Sequence, residues 1–449
     1  MRLSLFYELI TPRPWDEESD RRKVQEALEQ IEFADQFGFS TCWVVEHHFL
    51  EEYAHSSAPE VFLGGISQRT KNLRLGHGIM NILPPINHPL RAAERIAMLD
   101  NMSNGRVEFG SGEGSSVSEI DGFTIDPGSK KEMWEESLSV AVSALAETPF
   151  PGIEGTFLRI PPRNVVPKPY QRPHPPLWMA ATRRERIREA ARKGLGALCF
   201  FFVEPEASKA WVDEYYHVFE TECVPVGYFA NPNLAMTSWS ILADTRAEAA
   251  RRAGENIDFF RWASKHYYSL GPHSPGVTNV WELFEASGEA EKARRRAADV
   301  ADGDPTGTAV GTAQDAIDYF SRYEEAGVDE ILVGMQTGNM RHDHIMETIE
   351  RLGRDVLPQF NERHAIAEAK KQERIAPLLE EAAARRPEPR PAPEGYEHGA
   401  ILQTWGDGHA VGGMRESMEL QWEVSQGKRP DIMPEDAPDP DREESSSRR

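Results

Sequence analysis

Cysteine is scarce in this chain. Its three cysteines, Cys42, Cys199 and Cys223, match neither a disulfide framework nor a zinc motif in their spacing, so a reducing compartment is expected. No apolar run approaches the roughly 18 residues that a membrane-spanning helix requires. The opening Met1-Arg2-Leu3-Ser4-Leu5-Phe6 carries no long apolar h-region and no small-residue cleavage site, and the expectation is a cytoplasmic protein with no membrane partner. Positive charge is in short supply. The formal net charge of −23 has the wrong sign for a phosphate-rich partner and excludes nucleic acid. Several catalytic signatures are missing as well. No G-x-G-x-x-G follows the first strand with an acidic residue about 20 positions on, so no dinucleotide site of that kind is expected. No Gly-x-Ser-x-Gly elbow occurs, and no HxxxH or CxxC pair supplies ligands, so no metal is expected.

What is present is a regular alternation over residues 1–360. Residues 3–9 form a short apolar segment with strand character. Residues 20–37 place Val24, Leu28, Ile31 and Ala34 on one helical face and stop at Gly38, a residue suited to the left-handed helix end. Residues 41–45 are almost continuously apolar, as in a parallel strand covered on both faces. Further strands are expected at 73–79, 106–110, 177–181, 197–203, 234–243 and 330–333. Helices are expected at 59–69, 89–101, 130–146, 186–193, 205–222, from about 245 onward, 312–326 and 342–357. The Gly- and Pro-rich stretch 149–176 predicts a hairpin and a long loop. Such a rhythm predicts an α/β fold, either a doubly wound sheet or a (β/α)8 TIM barrel. The length favours a barrel with loop insertions.

Two regions follow from this reading, a barrel at 1–362 and a C-terminal extension at 363–449. The extension begins with a charged, Ala-rich helix at 368–386 that Pro377 should kink or break. A Pro-alternating linker follows at 386–393, and 436–449 has a disordered composition. Between them 401–422 carries Trp405 and Trp422, more apolar surface than a free linker exposes, consistent with docking on the barrel or on a second subunit.

In a barrel the reactive groups gather where strands end. Glu46-His47-His48 closes the second strand. Histidine titrates nearest neutral pH and suits proton transfer, while a helix cap or loop brace is the plain structural alternative. Zinc is disfavoured there, because neighbours on a strand face opposite ways, and the same alternation sends His48 away from His47. After the fifth strand, Ala181-Thr182-Arg183-Arg184-Glu185-Arg186 opens a helix, where free N–H groups and arginines favour an anion. A solvated first turn screened by Glu185 is the alternative. Gly110-Ser111-Gly112-Glu113-Gly114 looks like a phosphate loop but lacks the following Lys-Ser/Thr. Gly334-Met335-Gln336-Thr337-Gly338 ends the eighth strand.

Taken in order, these segments resemble the bacterial luciferase-like flavin-dependent monooxygenases. The resemblance rests on Ala34 through Phe49, on Asn72-Leu73-Arg74-Leu75-Gly76, and on Asn87-His88-Pro89 through Arg95. It continues in Leu99 through Arg106, Pro167-Lys168-Pro169, Pro175-Pro176-Leu177-Trp178, Val310-Gly311-Thr312 and Ala326 through Val333. It implies a barrel that takes reduced FMN from a separate flavin reductase and lets it react with O₂ to oxygenate an apolar small molecule, as a homodimer. It also implies that Glu46 and His47 are catalytic and that Gly78 and Ile79 touch the flavin ring through a strained peptide. Trp178, Ala181, Thr182, Arg183 and Arg186 are the remaining expected cofactor contacts. One departure concerns Glu113, where luciferase carries a phosphate-binding arginine; Arg183 or Arg184 is expected to take over. Two other functions fit related barrels, hydride transfer with a deazaflavin coenzyme and a non-catalytic flavin-binding subunit.

Overall fold

A computed structural model describes residues 1–200, 202–300, 308–397, 422, 423 and 426. Eight parallel strands close on themselves in the order β1 (Arg2–Tyr7), β2 (Thr41–Val44), β3 (Arg74–Asn81), β4 (Val107–Gly112), β7 (Leu177–Ala181), β8 (Gly196–Cys199), β9 (Leu234–Leu242) and β11 (Glu330–Gly334). Register is fixed from Leu5 opposite Cys42 round to Ala197 opposite Leu234 and Glu330 opposite Arg2. The ring is therefore a TIM barrel, as expected. β5 (Ile153–Glu154) and β6 (Arg159–Ile160) form a small antiparallel hairpin outside it, and β10 (Ala309–Gly311) adds to the outer end of β9.

Apolar runs became strands because both faces are covered. Inward positions Phe6, Trp43, Val45, Trp178, Leu198, Ala235 and Leu332 make a separate interior cluster. Outward ones such as Leu5, Cys42, Val44 and Ile331 join the larger layer under the helices, the arrangement expected of parallel sheets. The barrel's lower end is closed by charge. Arg2 pairs with Glu330 at 2.9 Å and Arg74 with Glu108. The same two carboxylates accept from the indoles of Trp43 at 2.7 Å and Trp178 at 2.6 Å.

Helices α1 (Ser19–Ala34), α2 (Pro59–Arg69), α3 (Pro89–Met102), α5 (Lys130–Ala146), α6 (Arg184–Arg192), α7 (Pro205–Glu222), α11 (Ala313–Ala326) and α12 (His342–Arg351) surround the ring. Short α4 (Val117–Gly122) sits in the loop after β4. The long α8 (Arg246–Lys265) after β9 passes into a π-helical turn, His266–Leu270, before α9 (Val280–Ala286) and α10 (Glu289–Ala298). No helix among the described residues is long and apolar enough to cross a membrane.

The C-terminal extension differs from expectation in its first part. α13 (Leu357–Arg385) is one helix with Pro377 inside it, and the boundary expected at 362 falls within it. Ion pairs Arg363–Glu324 at 2.7 Å, Lys371–Asp329 at 2.7 Å and Arg374–Glu220 at 2.5 Å fasten it to the barrel. Ile375 and Ala382 are buried on the docked face. Docking on both sides of Pro377 outweighs the one lost hydrogen bond. The segments 401–421 and 427–449 lie outside the described residues.

Candidate active site

Loops at the upper end of the strands enclose a cleft of about 580 Å³, within the range of small-molecule sites. β1, β2 and β3 supply one wall. Glu8 follows β1, Glu46 and His47 follow β2, and Gly78, Ile79 and Asn81 lie at the end of β3; all of them line the cleft. The pairing of β3 with β4 shifts between His77 and Met80, and the Gly78–Ile79 peptide there is cis. Gly110 makes this close approach possible, because a Cβ on it would lie 2.1 Å from the His77 carbonyl oxygen. The His77 ring is wholly buried with neither nitrogen hydrogen-bonded, and burial pushes its pKa down to about 3. It stays neutral, a packing group.

His47 is held from two directions. Nδ1 lies 3.1 Å from Glu119 Oε1 on α4, and Nε2 lies 3.3 Å from the Tyr268 hydroxyl on the π-helical turn. Its backbone N–H donates to the Ser56 carbonyl at 3.0 Å, which pins the loop itself. Burial opposes a charge on the ring, but Glu119, with Glu8 and Glu46 further off, outweighs it and raises the His47 pKa. Glu119 thus favours a proton on the ring, and Nε2 is turned toward Tyr268 in the cleft.

Glu46 is a brace. Asn87 Nδ2 donates to Oε1 at 2.8 Å, His48 Nε2 lies 3.0 Å from the same atom, and the Asn81 N–H reaches Oε2 at 3.3 Å. Arg95 in turn holds the Asn87 amide at 2.6 Å. Burial still raises the Glu46 pKa against these partners. The expected contrast between the two histidines holds for a different reason. β2 ends at Val44, so strand alternation does not reach them. His47 lines the cleft, and His48 turns back on Glu46 and packs edge-on against Phe123 at 5.0 Å.

On the opposite side the chain enters α6. Thr182 lines the cleft, Arg183 caps the helix and is exposed, and Arg184 turns away to Glu214 at 2.6 Å. Arg186 also lines the cleft but is engaged by Glu113 and by Glu189 at 2.6 Å. Glu113 therefore meets a cation. Lys130, at the start of α5, donates to the Gly114 carbonyl at 2.7 Å, and burial followed by the charge of Arg183 lowers its pKa. No ion pair joins either Lys130 or Arg183 to a carboxylate among the described residues. Two neighbouring cations without a counter-ion, beside a helix start, suit a bound anion.

Two expected cofactor contacts lie elsewhere. Trp178 is the second residue of β7 and sits low in the barrel, 1% exposed against Trp43 at 5.2 Å. The inward residue one step higher, Ala180, lines the cleft in its place. Ala181 points outward under the helices and is fully buried. Sequence reading missed Glu119, Tyr268, Lys130 and Glu8. Glu119 and Tyr268 lie in loop insertions without periodicity, and only the folded chain brings them to His47.

The upper mouth of the barrel thus joins a half-buried histidine, a third strand with a register shift and a basic helix start. The sequence pattern of the luciferase-like monooxygenases matches residues 6–330, and the chain belongs to that family. It is 26% identical over 382 residues to the oxygenase component of the flavin-dependent trigonelline monooxygenase of Acinetobacter baylyi, covering 82% of this chain and 99% of that one. It is 37% identical over 180 residues to protein y4wF of Sinorhizobium fredii, covering 40% of this chain and about half, 51%, of that one. Among solved structures, the monooxygenase RslO1 of Streptomyces bottropensis superposes with a TM-score of 0.65 at 25% identity, over 80% of this chain and 100% of that one.

Proposed function

We propose that the protein is the oxygenase half of a two-component system, using reduced FMN and O₂ to oxygenate a small, largely apolar molecule. The observation that carries this reading is that Gly78, Ile79 and His47 line one cleft at the mouth of the barrel, and that Lys130, bonded to the cleft-lining Gly114, adjoins it with Arg183 close by. These residues fit FMN. Phe6, Val45, Ile79 and Phe200 offer an apolar wall for a ring, and Lys130 with Arg183 offers a place for its phosphate.

Bound reduced FMN supplies the electrons with which O₂ is activated. The chain does the rest. Lys130 and Arg183 hold the phosphate, with Thr182 beside them. His47 holds or delivers a proton at Nε2, oriented by Glu119. α4 and the π-helical turn, which touch each other, keep water from the reacting centre. A separate reductase is part of the reading because no dinucleotide fingerprint follows the first strand, and because the Acinetobacter relative is named as an oxygenase component.

The test is to mix the purified chain with NADH, FMN and O₂, with and without an added flavin reductase. O₂ consumption modified by the protein only when reductase is present supports the reading. Rapid NADH oxidation by the chain alone, or tight binding of a deazaflavin with no O₂ uptake, contradicts it.

A further inference from the structure

Four carboxylates line the cleft, and three have a side-chain nitrogen against them, although Glu113 Oε2, like Glu8 Oε2, has no hydrogen-bond partner of its own. Glu46 has His48, Asn87 and the Asn81 N–H; Glu113 has Arg186; Glu119 has His47 and, at 2.9 Å, the His48 N–H. Glu8 is the exception. It follows the last residue of β1 and is only 6% exposed. One oxygen meets the Tyr53 hydroxyl at a long 3.4 Å, and Oε2 has no partner.

Its surroundings make this costly. Phe6, Tyr53 and Phe260 line the same cleft, with the last two rings 5.1 Å apart. Burial pushes the Glu8 carboxyl up to about 7, against the opposing pull of His47 and the Tyr53 hydroxyl. An apolar side chain of similar size would pack there without a buried charge. A carboxylate becomes favourable when something that enters the cleft donates to it.

We propose that the cleft accepts a ring-sized, largely apolar molecule carrying one neutral hydrogen-bond donor, an O–H or N–H, and that Glu8 is the acceptor that selects and orients it. The donor is neutral because Glu8 already lies within reach of the basic His47 side chain, beside which a second cation would be unfavourable. A ring suits the walls, since Tyr53 and Phe260 offer apolar faces and edges. This inference rests on the reading of the cleft as the substrate site of an oxygenase.

Indole and benzofuran make a matched pair of probes, the same bicycle with and without a donor. Their affinities are measured by calorimetry at pH 8, on the full chain with and without saturating oxidised FMN, for the parent, Glu8→Leu and Glu8→Gln. The parent should bind indole at least about tenfold more tightly than benzofuran, the ratio expected of one hydrogen bond to a charged group. In Glu8→Leu the ratio should fall to within about threefold, and benzofuran should bind no worse than to the parent. Should the leucine variant not fold, Glu8→Gln carries the test, and its ratio should fall by at least about threefold. Equal affinities in the parent, no indole binding, or a ratio that survives both substitutions overturns the proposal. Binding is read without turnover, so a failed flavin or O₂ assay leaves these outcomes intact and bears on the oxygenase reading alone.

Discussion

Glu119 Oε1 serves two consecutive residues at once, lying 3.1 Å from His47 Nδ1 and 2.9 Å from the His48 backbone nitrogen. One carboxylate on α4 therefore fixes both the ring orientation of His47 and the path of the chain that carries it. With Nδ1 committed to Glu119, Nε2 is the atom left for Tyr268 and the cleft.

Replacing Glu119 with Gln removes the charge that outweighs burial at His47. The His47 pKa should then fall, because burial alone disfavours the imidazolium. Ring resonances followed by NMR titration give the value directly. The pH range over which flavin oxidation changes should move down with it. An unmoved titration would show that Glu119 merely packs.

The phosphate reading separates three basic residues. Arg183→Ala and Lys130→Ala should each weaken FMN binding by roughly ten- to a hundredfold, with little effect on riboflavin. Arg186→Ala should do less to binding, because its guanidinium already belongs to Glu113 and Glu189. Fluorescence titration with both flavins distinguishes them. Equal FMN and riboflavin affinity in the parent would remove the phosphate site from this helix start.

Glu8 gives the fold a pH signature. Its carboxyl is raised from the ordinary 4.5 to about 7 in the folded chain, so its stabilising contribution is complete below about 4.5 and is lost as pH rises through about 7. The loss is on the order of 3 kcal/mol. Glu8→Gln does not titrate, so its stability relative to the parent should rise between pH 5 and pH 8. Urea denaturation at both values measures it, and a pH-independent difference would be the contrary result.

Gly110→Ala tests the junction of β3 and β4. The new Cβ would fall 2.1 Å from a backbone oxygen, and neither strand can yield without opening the barrel. A loss of about 3 kcal/mol or more, or failure to fold, is expected. A variant with the parent's denaturation midpoint would mean that the strands are less closely held.

Much of this was legible in the sequence for physical reasons. Buried parallel strands need apolar runs, so 41–45 and 177–181 stood out; Gly327 ends α11 with φ +89°, whereas Gly38, φ +85°, lies in a turn beyond α1, which stops at Ala34. Glu46-His47-His48 was visible as polarity at the end of an apolar strand. Height within the barrel was not, and Trp178, inward-facing but low, was assigned to the cofactor when Ala180 lies at the cleft. Loop residues were hidden for another reason. Glu119 and Tyr268 acquire meaning only when α4 and the π-helical turn close over His47, and no local pattern encodes that meeting. Pro377 was read as a kink or a break because a proline forfeits a helical hydrogen bond; the helix runs on past it, held by the tertiary contacts of α13.

The most direct test concerns His47 itself. Reduced FMN is bound anaerobically to the parent, His47→Ala and His48→Ala, air is admitted, and hydrogen peroxide release is timed against free reduced FMN. The parent should release peroxide more slowly than free flavin. His47→Ala should bind reduced FMN within about threefold of the parent but release peroxide roughly a hundredfold faster, the scale of one positioned acid–base group. His48→Ala should stay close to the parent. Peroxide release by His47→Ala at the parent's rate would contradict a proton-holding role and leave the residue a structural brace.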